Sequence, residues 1–220
     1  MKALKALAIA AMATSMVACN NASESEAETT SAQEVAQTEA AAVYAVAPES
    51  AQINWRGFKT NVDWGHDGTI QITEGEFQVE NGELVGGSFV IDMNTIHATD
   101  YEKDSEDYGK LIGHLSSDDF FSVGTYPTAK FEITDVMANT DGETSHIVKG
   151  NLTMKDKTNN ITIPANVEVV DGMVSFDTPQ FSIDRKKWGV MYASTGVEGV
   201  TKDQLIDDYI LLSVDLTAKN

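Results

Sequence analysis

The chain of 220 residues has few cysteines and few basic side chains, and both shortages exclude classes of structure and function. Cys19 is its one cysteine, so no disulfide can form within the chain. Its 15 lysine and arginine residues are outnumbered by 34 aspartate and glutamate residues, which gives a formal net charge of −19. Such an acidic field repels nucleic acid and anionic headgroups, which argues against a nucleic-acid partner.

The chain also lacks a long apolar run near its N-terminus, where the apolar stretch covers only residues 6–18. A stretch of that length is too short to span a bilayer as a helix, and it follows the positive side chains of Lys2 and Lys5. It ends in the letters MVAC at residues 16–19, which resemble the lipobox of bacterial lipoproteins. This pattern predicts an export signal.

The lipobox resemblance implies that residues 1–18 are a lipoprotein signal peptide and that Cys19 is the lipidation site. The chain would then be exported and anchored to a bacterial membrane, facing the periplasm, because two or more acyl chains hold a protein firmly. Asn20 resembles the residue found after the cysteine in lipoproteins of the outer membrane. Two alternatives stay open: ordinary secretory cleavage after Ala18, and a buried N-terminal helix with an unmodified cysteine.

The segment after the cysteine has little that could form a core. Residues 20–42 contain five glutamates, no basic residue and no aromatic residue. This composition cannot bury enough apolar surface to offset the entropy of ordering, so residues 19–42 are predicted to be a disordered tether. The alternative is a short Ala/Glu helix near residues 32–42, which would be marginal on its own.

Residues 43–220 are predicted to form one domain in which apolar and polar side chains alternate. Phe89, Ile91 and Met93, for example, share one face of a long strand, as expected for half-buried strands. The dipeptides at residues 81–82 and 171–172, Asn-Gly and Asp-Gly, favour hairpin turns because they tolerate positive φ. Eight or nine such strands predict an antiparallel barrel or a sandwich.

One segment breaks this alternation and predicts a helix instead. Its apolar residues recur at i, i+3, i+4 and i+7, which is the spacing of one helix face, and they are Tyr108, Leu111, Ile112 and Leu115. Asp104 or Ser105 can cap its start. The predicted fold class is therefore all-β, an antiparallel barrel of about eight strands with a short helical insertion.

Several motifs together resemble the YceI-like, polyisoprenoid-binding family. They are HLSSDDFF at residues 114–121 with YPTAKF at 126–131, GNLTMK at 150–155, FSIDRKKWG at 181–189, and VIDMNTI at 90–96. Each is weak alone, but they occur in order and at sensible spacing. The resemblance covers about residues 44–218 and implies a lipocalin-like barrel whose apolar interior holds a long isoprenoid tail, such as that of a quinone or a polyprenol.

The resemblance and the alternation together give a set of candidate tunnel residues. Gly86 and Gly87 would leave space within a strand, and an eight-stranded barrel is wide enough either to fill with side chains or to hold one slim ligand. About half of the inward residues are expected to touch ligand, and the others to form a dry core. The favoured tunnel residues are Trp55, Phe89, Ile91, Met93, Phe131, Ile163, Phe181 and Trp188.

Polar candidates for a headgroup contact at the mouth are fewer. His66 lies in a predicted turn and could meet a headgroup, or it is a solvated turn histidine. Arg185 is the second candidate, although its guanidinium also suits a fixed contact with an acid or with strand ends. Trp188 and Tyr126 could equally be lids that close one end of the barrel.

The chain offers no pattern for catalysis or for a metal. It has no G-x-S-x-G motif and no Gly-rich phosphate loop, so we expect no enzyme and no catalytic cofactor. Its histidines are scattered and have no cysteine partner, which gives no metal signal. The expected function is non-catalytic binding and shuttling of an apolar lipid by a monomer or weak dimer. The alternative is a filled barrel that binds a partner protein through its acidic surface.

Overall fold

The computed structural model describes residues 25–35, 41–48, 51–140 and 142–220. Cys19 and residues 1–18 lie outside the described residues, so their predicted roles stay predictions. The described residues form one α-helix, α1 (Glu106–Ser116), and the strands β1 (Ser25–Glu26), β2 (Glu28–Ser31), β3 (Ala42–Val46), β4 (Gln52–Phe58), β5 (Gly65–Glu80), β6 (Glu83–Ala98), β7 (Thr128–Ala138), β8 (His146–Met154), β9 (Lys157–Val170), β10 (Met173–Asp177), β11 (Phe181–Asp184) and β12 (Tyr209–Lys219).

Eight strands close into a ring, which confirms the predicted antiparallel barrel. The order around the ring is β4, β5, β6, β7, β8, β9, β10 and β12, and β12 pairs back to β4. Each is antiparallel to both of its neighbours. Because side chains alternate across a strand, one apolar set from every strand faces the interior. Phe89, Ile91 and Met93 on β6 are all buried, as the alternation predicts.

Tight turns connect the long hairpins at the end of the barrel that we call the closed end. Asn81 and Gly82 both have positive φ, as do Asp171 and Gly172, which confirms the two predicted hairpin turns. At the opposite end, which we call the mouth end, residues 155–156 form a similar turn with positive φ at both positions. Its Lys-Asp sequence carries no strong turn signal, so only the family resemblance of residues 150–155 indicated a hairpin here.

The helical insertion lies at the mouth end, between β6 and β7. Ser105 caps α1, because its hydroxyl accepts a hydrogen bond from the backbone N–H of Tyr108. Leu115 and Ile112 pack against the core below the helix, as the predicted apolar stripe requires. No helix among the described residues has the length and apolarity needed to cross a membrane.

The structure corrects one prediction about the N-terminal segment. Residues 19–42 were predicted to be a disordered tether, yet residues 25–31 form β1 and β2 on the barrel wall. On the N-terminal side of Asn166, β9 does not pair with β10, and the described N-terminal segment occupies the space between β9 and β11 there. Backbone hydrogen bonds to two strand edges do not need apolar side chains, so a polar composition did not prevent this pairing.

Candidate functional site

Three apolar chambers follow one another from the mouth end into the barrel. The outermost, the mouth chamber, has a volume of about 570 Å³ and lies between the β4–β5 loop, α1 and residues 192–206. The middle chamber, of about 140 Å³, lies beneath α1 and the segment that follows it. The inner chamber, of about 70 Å³, is lined by aliphatic and phenylalanine side chains. Together the three chambers form a tunnel that opens at the mouth end.

Shared lining residues join the chambers in series. Trp55, Leu115 and Phe120 belong to both the mouth chamber and the middle chamber. The boundary between the middle and inner chambers is a ring of four side chains that line both, which we call the neck: Ile53, Ile91, Leu152 and Leu212. Four strands supply one neck residue each, so the neck encircles the barrel axis.

The chamber volumes limit the size of the ligand that the tunnel can accommodate in this conformation. An apolar protein cavity of about 150 Å³ is known to stay dry and to bind benzene. The middle chamber is of that size, so it accommodates roughly one five-carbon isoprene unit, and the inner chamber accommodates a smaller group. A longer tail can fill both chambers only if the neck side chains move apart.

Phenylalanine rings fill the barrel on the closed-end side of the inner chamber. The rings of Phe77 and Phe89 meet edge to face at a centroid distance of 4.9 Å, and Phe77 lies 5.5 Å from Phe176. Phe77 is fully buried, and Val174 beyond it is fully buried as well. The closed end of the barrel is therefore a packed core, and the three chambers lie on its mouth side.

The structure places seven of the eight predicted tunnel residues on the chambers. Their contact with a ligand stays a prediction, because the structure contains none. The middle or inner chamber, or both, is lined by Trp55, Phe89, Ile91, Met93, Phe131, Ile163 and Phe181. The ring nitrogen of Trp55 donates a hydrogen bond to the carbonyl of Thr69, which fixes the indole against the wall.

The eighth predicted residue, Trp188, does not line any of the three chambers described above. It is fully buried in the short 3₁₀ turn after β11, and its ring N–H donates to the carbonyl of Leu152 at 2.9 Å. Trp188 belongs to the buried core cluster, which indicates a packing role. Tyr126, the other predicted lid, is also not among the chamber-lining residues, and a hydrogen bond with Asp156 raises the pKa of its hydroxyl.

The two predicted headgroup residues differ in what they contact. His66 lines the mouth chamber, with its ring Nδ1 2.7 Å from a carboxylate oxygen of Asp100 and its ring edge on Trp64. Arg185 also borders the middle chamber, but its guanidinium is occupied. It donates to the carbonyl oxygens of Val190, Ile206 and Asp207, and burial lowers its pKa.

Arg185 therefore anchors the loop that roofs the mouth chamber. Its three hydrogen bonds join the first residues of the segment 185–208, up to Val190, to the last ones, Ile206 and Asp207. The Arg185 side chain is 1% exposed. Asp208 lies 3.9 Å away and compensates part of the buried charge. Between a headgroup contact and a fixed contact with an acid or with strand ends, the geometry of Arg185 favours the fixed contact.

Exposed apolar side chains surround the mouth. Trp64, Tyr192 and Val197 line the mouth chamber and are among the most exposed large apolar residues of the described chain. Lys59 reaches across the opening, because its ammonium bonds the carbonyl of Asp203 and lies 5.3 Å from the Trp64 ring. This combination gives an apolar rim with one cation beside it.

Sequence reasoning missed the chamber residues that lie outside regular strands. Phe120, Phe121 and Ile206 line the chambers from loops, where no period of two or of 3.6 marks which side chain faces inward. The HLSSDDFF motif contained the first two, but its resemblance to a family indicated only membership. No cluster of three or more potential metal-ligating side chains occurs among the described residues.

Known proteins resemble this chain in both sequence and structure. A family model described as the YceI-like domain matches residues 44–218. A UPF0312 protein of Pseudomonas paraeruginosa is 39% identical over 77 residues, a match that spans only 35% of this chain and 35% of that relative. The solved structure of BcnA from Burkholderia cenocepacia superposes with a TM-score of 0.60 at 19% identity, covering 79% of this chain and 99% of that chain. A polyisoprenoid-binding domain from Saccharophagus degradans, implicated in plant cell wall breakdown, superposes with a TM-score of 0.53 at 16% identity, covering 80% and 97%.

Proposed function

Because the chain belongs to the YceI-like domain family, we propose that its barrel binds the apolar tail of an isoprenoid lipid of the quinone or polyprenol type and catalyses no reaction. The observation that carries this proposal is the series of three chambers, which lead from an open mouth to a phenylalanine-lined inner end. The description of the Saccharophagus relative as polyisoprenoid-binding supports the same ligand class.

The chemistry of the chambers suits a hydrocarbon tail. Each methylene-sized group transferred from water to an apolar site contributes about 0.8 kcal/mol, so one five-carbon unit contributes about 4 kcal/mol before the entropic cost of binding. The inner chamber is lined by apolar side chains only. A polar ligand placed there would lose its hydrogen bonds to water without replacement. Specificity for an apolar tail follows from this lining.

The rim suggests how a lipid would enter. Trp64 and Tyr192 at the mouth are side chains of the type enriched at membrane–water interfaces. A barrel that touches a bilayer with this rim would take up a tail without passing it through water. We therefore propose that the protein shuttles its lipid between a membrane and the periplasm, tethered through an acylated Cys19.

A charge placed in the middle chamber tests the proposal. Met93 is 6% exposed and lines that chamber, so Met93→Asp puts a carboxylate where a tail would lie. We expect binding of geranylgeraniol, measured by fluorescence displacement, to fall by at least about 100-fold, because burying an unpaired charge costs several kcal/mol. Val43→Asp adds the same charge at an exposed site on β3 and should leave binding unchanged.

Circular dichroism must show that Met93→Asp keeps the barrel fold for the comparison to hold. If that folded variant bound geranylgeraniol as well as the unaltered chain, the tail would not occupy the middle chamber and the proposal would be wrong. If neither chain bound the alcohol or a quinone, the better account would be a partner protein recognised through the acidic surface.

A further inference from the structure

We infer that the contact between the Phe131 ring and Gly150 determines how long a tail the barrel accepts, because this contact keeps the inner chamber open. The inference rests on the proposed function and identifies the part of the tunnel that limits the length of the bound tail. Phe131 on β7 lines the inner chamber, and Gly150 lies on the neighbouring strand β8, where it pairs with Ile133. Neither residue contacts the mouth.

Aromatic rings lying against glycines are a repeated feature of the barrel interior. A strand glycine normally weakens a sheet, unless an aromatic side chain from the next strand covers it. A methyl group built on each of these glycines would collide with the ring that covers it. Three such pairs occur among the described residues: Trp55 over Gly68, Phe89 over Gly75, and Phe131 over Gly150.

The three pairs differ in what else constrains the glycine. A methyl group on Gly68 would also collide with the carbonyl oxygen of His97, so the backbone requires that glycine irrespective of any ligand. At Gly150 the nearest atoms belong to the Phe131 ring, with Cε2 at 2.5 Å, whereas the nearest backbone atom is the carbonyl oxygen of Glu132 at 2.9 Å. A methyl group at Gly150 therefore requires a large movement of the ring and a smaller movement of the Glu132 carbonyl.

The direction of that movement follows from the position of the ring. Carbon atoms in contact normally stay about 3.5–4.0 Å apart, so the ring edge must move by at least about 1 Å to accept a methyl group. Gly150 lies on one side of the Phe131 ring, and the inner chamber is the open space beside it. A chamber of about 70 Å³ has little room for a displaced phenyl ring. Gly150→Ala should therefore close the inner chamber and leave the middle chamber open.

Binding of a series of prenyl alcohols tests the inference. Geraniol, farnesol and geranylgeraniol differ by single isoprene units, and affinity is measured for each by displacement of a fluorescent apolar probe from the full chain. In the unaltered protein, we expect affinity to rise until the tail fills the inner chamber. In Gly150→Ala, affinity for the alcohols that reach that chamber should fall on the order of 100-fold, while affinity for the next shorter alcohol stays the same.

Two further variants control for the cost of replacing a strand glycine. Gly86 was predicted to leave space within a strand, but it lines none of the three chambers. Gly86→Ala places its methyl group against the flexible side-chain amide of Gln78, at 2.8 Å from Oε1, and should bind the series like the unaltered chain. Phe131→Leu removes the ring edge that Gly150 accommodates. Combined with Gly150→Ala, it should restore binding of the longer alcohols; alone, it should enlarge the inner chamber and favour a longer tail.

The outcomes separate this inference from the proposed function. If the unaltered chain binds the series but Gly150→Ala has the same length preference, the Phe131–Gly150 contact does not determine the preferred tail length. If Gly150→Ala does not fold, Phe131→Leu alone decides, and an unchanged length preference overturns the inference. If the unaltered chain binds none of the alcohols and no quinone, the proposed function fails first and the inference fails with it.

Discussion

The N-terminal strands offer a sharp test of how the barrel wall is completed. Residues 25–33, which we call the strap, lie between β9 and β11. Two residue pairs join the strap to β11 and four join it to β9. Beyond these strands, the side-chain amide of Asn151 both accepts from the backbone N–H of Gln33 and donates to its carbonyl. A single charge inside this segment should release the strap without unfolding the barrel.

Ala27 is the position to change, because it is the buried residue of the strap. It is 2% exposed, packs in the core cluster, and donates its backbone N–H to the carbonyl of Ser182. A carboxylate at this site costs at least about 3 kcal/mol unless it reaches water. The bonds of the strap are worth about 1 kcal/mol each at most, and ordering its residues offsets much of that. Ala27→Asp should thus lower the equilibrium constant for docking of the strap by about 100-fold.

Hydrogen–deuterium exchange followed by mass spectrometry measures this release. In Ala27→Asp, amides within residues 157–163 and 181–184 should exchange faster, because these segments lose the strand that pairs with them. Amides of residues 89–93 on β6 should keep their protection. Thr30→Asp, which adds the same charge to an exposed position of the strap, is the control. Unchanged exchange beside the strap in a folded Ala27→Asp chain would refute the reasoning.

Three further predictions concern packing, pH and the rim. Trp188→Phe should lower the free energy of unfolding by about 1–3 kcal/mol, measured by urea denaturation, and leave lipid affinity unchanged, because the indole bonds Leu152 from outside the tunnel. Burial alone would raise the pKa of Asp208, but hydrogen bonds from Lys186 and a backbone N–H outweigh it and hold the pKa below the ordinary 3.8. The carboxylate thus stabilises the fold above about pH 4 and loses this effect as pH falls further, so Asp208→Asn should be destabilising in urea at about pH 7 and nearly neutral at about pH 2. Trp64→Ala should slow lipid transfer from vesicles, measured by fluorescence quenching, without changing the affinity at equilibrium.

Alternation alone was enough to predict the inner face of the central part of β6. On β6 the period of two placed Phe89, Ile91 and Met93 on the inner face, and the structure puts all three on the chambers. Between bulges the side-chain period of a strand is fixed, so one correctly identified inward residue determines its neighbours. Past a bulge the parity changes, which is why Ile96 on β6 lines the middle chamber together with Met93. The helix was predictable for the same reason, from its different period and from its cap at Ser105.

The strap could not be found in this way. Its sequence between residues 25 and 33 has no apolar alternation, and what orders it is the free backbone of β9 and β11, more than 120 residues away along the chain. Pairing of this kind depends on the three-dimensional gap that it fills and not on local propensity. The composition of the strap therefore predicted disorder, although the edges of β9 and β11 order it through backbone pairing.

Trp188 and Arg185 show a second limit of sequence reasoning. Both belong to a 3₁₀ turn, where the strand period no longer says which side chain faces the tunnel. The structure turns Trp188 towards the carbonyl of Leu152 and uses Arg185 to bind three loop carbonyls. A motif that contains an arginine and a tryptophan predicts a fixed local structure equally well as a ligand contact.

The most direct test of lipid binding is native mass spectrometry, with organic extraction, of the full chain carrying Cys19→Ser and purified from a bacterial host. The proposed function predicts a co-purifying apolar molecule of isoprenoid mass, or its uptake when the apo chain is incubated with quinones and polyprenols. A chain that stays at its apo mass in both experiments would contradict it, and the chambers would then be packing defects of a barrel that acts through its surface.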